Sequence, residues 1–243
     1  MTLPLEGRIT LVTGASRGIG YAAATALAAA GSHIVAIART QGGLEDLDDA
    51  IAAAGGTCTL VPMDLTDFDQ IDRLGALLHD RYGRLDGLLC NAAILGGITL
   101  TNHTTPKDWM KVMDVNLTAP YRLIRSMDPL LRESASGRAG FMTSSVARAP
   151  RAHWGAYAAS KAGMEAFVRC WADEIDNITN IKVNLLNPGA TRTQMRAKAM
   201  PGEDPETLPS PGDIAPLIVN MLSPDYADHD TLVTFRETDY FKS

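Results

Sequence analysis

The chain has 243 residues, 46% of them hydrophobic and 21% charged, a composition that excludes a disordered or fibrous protein. Its 22 basic and 28 acidic residues leave a formal net charge of −6, which argues against a general affinity for nucleic acid or for an anionic membrane. Three dispersed cysteines, Cys58, Cys90 and Cys170, exclude a disulfide framework, and the histidines lack ligand spacing, so no metal site is expected.

The N-terminal residues carry no signal-peptide pattern, and no segment reaches about 18 apolar residues, so a soluble, cytoplasmic protein is expected. Short apolar runs at 9–12, 33–38, 57–61, 87–90, 140–143, 181–186 and 232–235 predict strands. Helical patterns at 18–30, 43–54, 67–82, 106–133, 155–177 and 211–222 alternate with them. This βα alternation predicts an α/β, Rossmann-type doubly wound sheet of about seven parallel strands with helices on both faces. No repeat, charge block or low-complexity linker divides residues 1–243, so a single domain is expected. The proline-rich part of 190–212 reads as a surface excursion, placed to cover a site.

The first predicted strand runs into Thr13-Gly14-Ala15-Ser16-Arg17-Gly18-Ile19-Gly20 and then an alanine-rich helix. Small residues at such a turn let the backbone approach a pyrophosphate, while the helix N-terminus offers free N–H groups and partial positive charge. A dinucleotide site therefore forms the first expectation. The second strand ends at Ala38-Arg39. An NAD site usually places a carboxylate there for the ribose 2′-OH, whereas a guanidinium suits a 2′-phosphate, so Arg39, with Arg17 beside it, favours NADP(H) over NAD(H).

Tyr157 and Lys161 stand four residues apart at the start of a predicted helix, with Ser144 and Ser145 upstream. Residues i and i+4 share a helix face, and a nearby positive charge favours a phenolate over a phenol. That pair is the expected proton-transfer site.

Together these motifs resemble the short-chain dehydrogenase/reductase family over nearly the whole chain, in its single-domain branch with TGxxxGxG and YxxxK motifs. The resemblance implies cofactor contacts from Gly14, Ser16, Arg17, Gly18, Ile19 and Gly20, and from Asp64 and Leu65, with Asp64 on the adenine. Asn91-Ala92 matches part of the family's Asn-Asn-Ala-Gly motif, with Cys90 and Ala93 replacing the first Asn and the Gly. Pro188-Gly189-Ala190-Thr191-Arg192-Thr193 resembles the Pro-Gly-xxx-Thr segment, in which Thr191 and Thr193 meet the nicotinamide carboxamide or the pyrophosphate.

The implied catalytic set is Asn116, a Ser, Tyr157 and Lys161. Ser145 lies twelve residues before Tyr157 and Ser144 thirteen, the family's commoner separation. Ser145 is preferred, on the premise that the following loop absorbs a missing residue more easily than the strand does. The implied reaction is hydride transfer between a small-molecule carbonyl and an alcohol. In it Ser145 orients the oxygen, Tyr157 donates the proton, and Lys161 binds the nicotinamide ribose and lowers the Tyr157 pKa. Asn116 helps hold a water of the proton relay. A cofactor-binding regulatory or scaffold protein of the same fold is the alternative. A homodimer through the helices at 106–133 and 155–177 is the expected assembly.

Overall fold

The computed structural model describes residues 3–242; Met1, Thr2 and Ser243, which the single-domain reading of 1–243 included, lie outside them. The strands are β1 (Ile9–Thr13), β2 (His33–Ala38), β3 (Cys58–Pro62), β4 (Gly87–Cys90), β5 (Arg138–Met142), β6 (Lys182–Asn187) and β7 (Thr231–Thr234). The helices are α1 (Gly18–Ala29), α2 (Gln41–Ala53), α3 (Phe68–Tyr82), α4 (Pro106–Met113), α5 (Ala119–Arg132), α6 (Gly155–Ile175), α7 (Gln194–Ala199), α8 (Pro211–Met221) and α9 (Asp239–Lys242).

Every strand pairing is parallel, in the order β3-β2-β1-β4-β5-β6-β7. The order reverses between β1 and β4, which opens a crevice at the strands' carboxyl ends. Both faces are buried, so the strands are continuously apolar and alternate between two cores. Leu11, Val35, Ile37 and Leu88 pack with Leu74, Leu123 and Trp171 of α3, α5 and α6, whereas Val12, Ile34, Ala36 and Leu89 pack with Leu27, Leu47 and Leu217 of α1, α2 and α8.

Two departures from the sequence reading concern the site. The pattern at 106–133 is one helix in the sequence and two in the structure, α4 and α5, joined by a π-helical turn, Asp114–Thr118. Pro120 accounts for part of the break: it has no N–H, so the Asn116 carbonyl lacks its ordinary i+4 donor. Strand β5 begins at Arg138, two residues before the predicted run. The buried Arg138 side chain donates to the Gly137, Asn180 and Pro224 carbonyls, so the strand extends over a charged residue.

The 190–212 segment is more ordered than a bare loop. It holds α7, a single 3-10 turn at Pro205–Thr207, and ion pairs Arg192–Glu206 at 2.6 Å and Arg196–Glu203 at 2.5 Å.

Candidate active site

A cavity of about 880 Å³ runs along the carboxyl ends of the strands, from Arg39 and the β1–α1 turn at one end to Tyr157 and Lys161 at the other. The turn is built by close packing. A Cβ on Gly20 would lie 2.3 Å from the Gly14 carbonyl oxygen and 2.4 Å from Asn91 Nδ2, so no larger residue fits there. Gly18 differs. Its φ is +59° and an added Cβ would meet only Thr193 Cγ2, at 3.6 Å, so this glycine leaves open space on the cavity side of the turn.

Asn91 locks the crevice. Its side chain donates to the Thr13 carbonyl at 2.9 Å, and the amides of Asn91 and Ala92 both donate to Thr13 Oγ1 at 3.0 Å. The ends of β1 and β4 are thereby tied together despite the replacement of the neighbouring Asn by Cys90. At the β2 end Arg39 lies 3.9 Å from Asp64. Burial pushes the Asp64 carboxyl up, but the Thr66 amide and hydroxyl and the Arg39 charge outweigh it, holding Asp64 below the usual range. Arg17 crosses the cavity mouth to Gln194, with Nη1 to Oε1 at 3.0 Å.

At the other end, helix α6 begins two residues before Tyr157, and Trp154 meets the Tyr157 ring edge-on at 6.0 Å between centroids. Burial pushes the Tyr157 phenol up to about 12, against the lowering effect of a hydrogen bond with the Ser144 side chain. Lys161 is 2% exposed and donates to the Met142 carbonyl at 2.7 Å. Burial pushes its ammonium down to about 8, against the opposing effects of Cys90 and Glu165. The Cys90 thiol is itself pushed up by burial. The sequence reading, in which Lys161 lowers the Tyr157 pKa, is therefore not the balance found: desolvation dominates both groups.

The serine reading also changes. Ser144 continues the extended backbone of β5 (φ −155°, ψ 151°) and its side chain reaches Tyr157, whereas Ser145 is exposed and opens a 3-10 turn, Ser145–Ala147. The Ser145 carbonyl is held in that turn by the amides of Arg148 and Ala149. Strand β5 runs one residue less far toward Tyr157 than the choice of Ser145 requires.

Asn116 lies at the centre of the π-helical turn and is fully buried. Its side chain accepts from the Ile94 amide and donates to the Ile94 carbonyl, each at 2.9 Å, and donates to Ser160 Oγ at 3.0 Å. Ser160 in turn donates to the Tyr157 carbonyl at 2.8 Å. The Asn116 side chain is thus spent on bracing Ile94 and helix α6.

A family model for short chain dehydrogenases matches residues 8–204. The chain belongs to the short-chain dehydrogenase family. It is 38% identical to YciK, an oxidoreductase of Escherichia coli whose activity is uncharacterised, over 91% of this chain and 88% of that one. The crystal structure of a short chain dehydrogenase from Salmonella enterica serovar Typhi superposes with a TM-score of 0.92 at 37% identity, covering 96% and 98% of the two chains. A Shigella flexneri protein solved in complex with NADP gives a TM-score of 0.92 at 36% identity, covering 96% and 99%.

Within this short-chain dehydrogenase, most sequence-predicted residues meet in the one cavity: Gly14, Ser16, Arg17, Gly18, Ile19, Arg39, Asp64, Leu65, Asn91, Ala92, Tyr157, Lys161, Pro188 and Thr193 line it. Gly20, Gly189, Thr191, Asn116 and both serine candidates, Ser144 and Ser145, do not line it. Gly20 shapes the turn from behind. Thr191 is buried and donates to the Pro188 carbonyl at 3.3 Å, and Gly189 (φ +70°) bends the chain, its amide donating to Asn187 Oδ1 at 3.1 Å. The sequence reading missed Leu95 and Lys111 on the cavity wall, because nothing in their local pattern distinguishes them from other loop and helix residues.

Proposed function

We propose that this chain is an NADP(H)-dependent oxidoreductase that interconverts a carbonyl and a secondary alcohol. The observation that carries the reading is that Tyr157 and Lys161 share one cavity wall continuous with the β1–α1 turn, with the Ser144 side chain beside the Tyr157 phenol. The residues present suit the cofactor: Gly18 leaves room beside a helix N-terminus, the cavity is large enough for a sizeable ligand, and the β2 strand ends in Ala38-Arg39, a guanidinium where an NAD site usually has its carboxylate. Arg17 and Arg39 would hold a 2′-phosphate, the β1–α1 turn the pyrophosphate, and Lys161 the nicotinamide ribose. That a relative of the same fold was solved with NADP supports this choice over NAD(H).

When bound, the nicotinamide supplies or accepts the hydride. In reduction, the substrate oxygen gains negative charge and needs a proton. Ser144 donates a hydrogen bond to that oxygen, and Tyr157 Oη gives up its proton to it. A phenol held protonated by burial suits an acid, and the Lys161 ammonium stands on the same cavity wall. In oxidation the same atoms act in reverse.

NADPH fluorescence decay over a panel of ketones, aldehydes and quinones tests the reading, with Tyr157→Phe and a direct NADPH titration alongside. Turnover by the wild type, lost in Tyr157→Phe with binding intact, is expected; binding without turnover across the panel, or a fully active Tyr157→Phe, sinks it. The same reading takes a small-molecule carbonyl or alcohol as partner and places the enzyme in the cytoplasm. It also has a homodimer form through α5 and α6, where Tyr121 and Phe167 stack 5.5 Å apart and are 38% exposed each. Sedimentation equilibrium decides that assembly.

A further inference from the structure

Helix α6 carries a third functional-looking side chain on the stripe of Tyr157 and Lys161. Glu165 follows Lys161 by four residues, so the three share one face. It is 7% exposed. One carboxylate oxygen, Oε1, accepts from Thr143 Oγ1 at 2.6 Å, and the other, Oε2, accepts from Arg148 Nε at 3.0 Å. Thr143 immediately precedes the Ser144-Ser145 pair, and Arg148 follows the 3-10 turn that begins at Ser145.

We propose that Glu165 is a positioning residue of the oxidoreduction site: its single buried carboxylate grips the chain on both sides of the serine pair and fixes that segment to the helix bearing Tyr157 and Lys161. The inference rests on the oxidoreductase reading above. Packing alone does not require this arrangement, because a buried carboxylate carries a desolvation cost that apolar residues of similar size avoid. What the charge adds is register. Ser144 stays extended and reaches Tyr157 because Thr143 is held from below and the turn is closed from outside by Arg148. The half-exposed Arg148 would contribute little as a surface ion pair, yet here it bonds the carboxylate of a buried side chain.

The groups that face this carboxylate are Arg148 from the serine loop and Lys161 from its own helix, and Lys161 faces Cys90 of β4 in turn. Glu165 is the negative neighbour that helps Lys161 keep its proton. Loss of Glu165 therefore acts on two observables, the order of residues 143–149 and the alkaline limb of the pH profile.

Two variants open the clamp from opposite sides. Glu165→Gln keeps an acceptor for Thr143 but loses the charge and the Arg148 bond, and Arg148→Ala removes the outer partner while leaving Thr143 held. Three measurements apply to both: amide hydrogen exchange of the peptide 143–149, NADPH binding, and kcat and KM for NADPH-dependent reduction of the panel carbonyl turned over fastest. Exchange about tenfold faster in 143–149 is expected, with kcat down about ten- to a hundredfold and NADPH affinity within about twofold of wild type. In Glu165→Gln the alkaline limb moves to lower pH. Unchanged exchange in both variants overturns the clamp, and faster exchange with wild-type kcat and pH profile overturns the positioning role. Should Glu165→Gln fail to fold, Arg148→Ala, altered at a half-exposed side chain, decides the matter. A wild type that binds NADPH but reduces nothing refutes the oxidoreductase reading, and with it the positioning role, while the exchange measurement still decides the clamp itself.

Discussion

Replacing Lys161 with Met should stabilise the cofactor-free protein near neutral pH while abolishing turnover. Lys161 is 2% exposed, and burial pushes its ammonium from 10.5 down to about 8. At about 1.4 kcal/mol per tenfold change in proton affinity, that depression corresponds to about 3 kcal/mol of destabilisation. The sign follows from proton binding. Below pH 8 both folded and unfolded chains carry the ammonium, so the whole cost of burying it is present. Between pH 8 and 10.5 the folded protein releases the proton first, binds fewer protons than the unfolded chain, and gains relative stability. Lys161→Met avoids the cost at every pH but leaves the Met142 carbonyl without its donor, a penalty of about 1–3 kcal/mol that does not vary with pH. The net gain at pH 7 is therefore about 0–2 kcal/mol. The sharper quantity is its slope: the stability difference between variant and wild type should move against the variant by about 3 kcal/mol between pH 7 and 10.5. Tyr157, pushed up to about 12, works in the other direction, keeping its proton in the folded protein after the unfolded chain has lost it above about pH 10. Because Tyr157 is present in both proteins, its contribution largely cancels. Urea denaturation of both proteins without NADP(H), at intervals across that range, measures the slope. A difference that stays flat with pH refutes the account of Lys161 as a buried ammonium poised by desolvation.

Three further outcomes follow from the site. Ser144→Ala should lower kcat about a hundredfold, whereas Ser145→Ala stays within about twofold, because only Ser144 reaches Tyr157; equal losses in steady-state assays would count against the assignment. Gly20→Ala drives a Cβ to 2.3 Å from the Gly14 carbonyl, so it should cost about 1–3 kcal/mol in chemical denaturation and weaken NADPH binding measured by fluorescence titration. Arg39→Ala should weaken NADPH about ten- to a hundredfold and leave NADH nearly unchanged, as competing titrations would reveal; parallel losses for the two would remove the 2′-phosphate role.

The fold was legible because its two signals are local. Continuous apolar runs at β1, β2 and β4 mark strands buried on both faces, and a glycine-rich turn between β1 and α1 marks the end of the first one. The break between α4 and α5 was also within reach: Pro120 stands inside the predicted helix and removes the donor for Asn116, a backbone consequence that apolar periodicity does not register. The serine choice is of another kind. Counting residues back from Tyr157 gives two candidates, and what separates them is where extended chain gives way to a turn, which depends on Arg148 and Ala149 closing back on Ser145.

Depth is the property that spacing does not carry. The sequence places Tyr157, Lys161 and Glu165 on one stripe of α6 at intervals of four, but the same stripe on a solvated helix would leave three ordinary side chains. Here β4 and β5 press against that face, and the chemistry follows from the pressing. Water is removed from the Tyr157 phenol, which holds its proton more tightly, and from the Lys161 ammonium, which holds its proton less tightly. Cys90, standing where the family's motif has Asn, is also driven toward its neutral form and so adds no lasting charge beside Lys161. Glu165 is then the neighbour whose charge sustains the ammonium, and its second and third contacts, Thr143 and Arg148, carry that electrostatic role into the placement of Ser144.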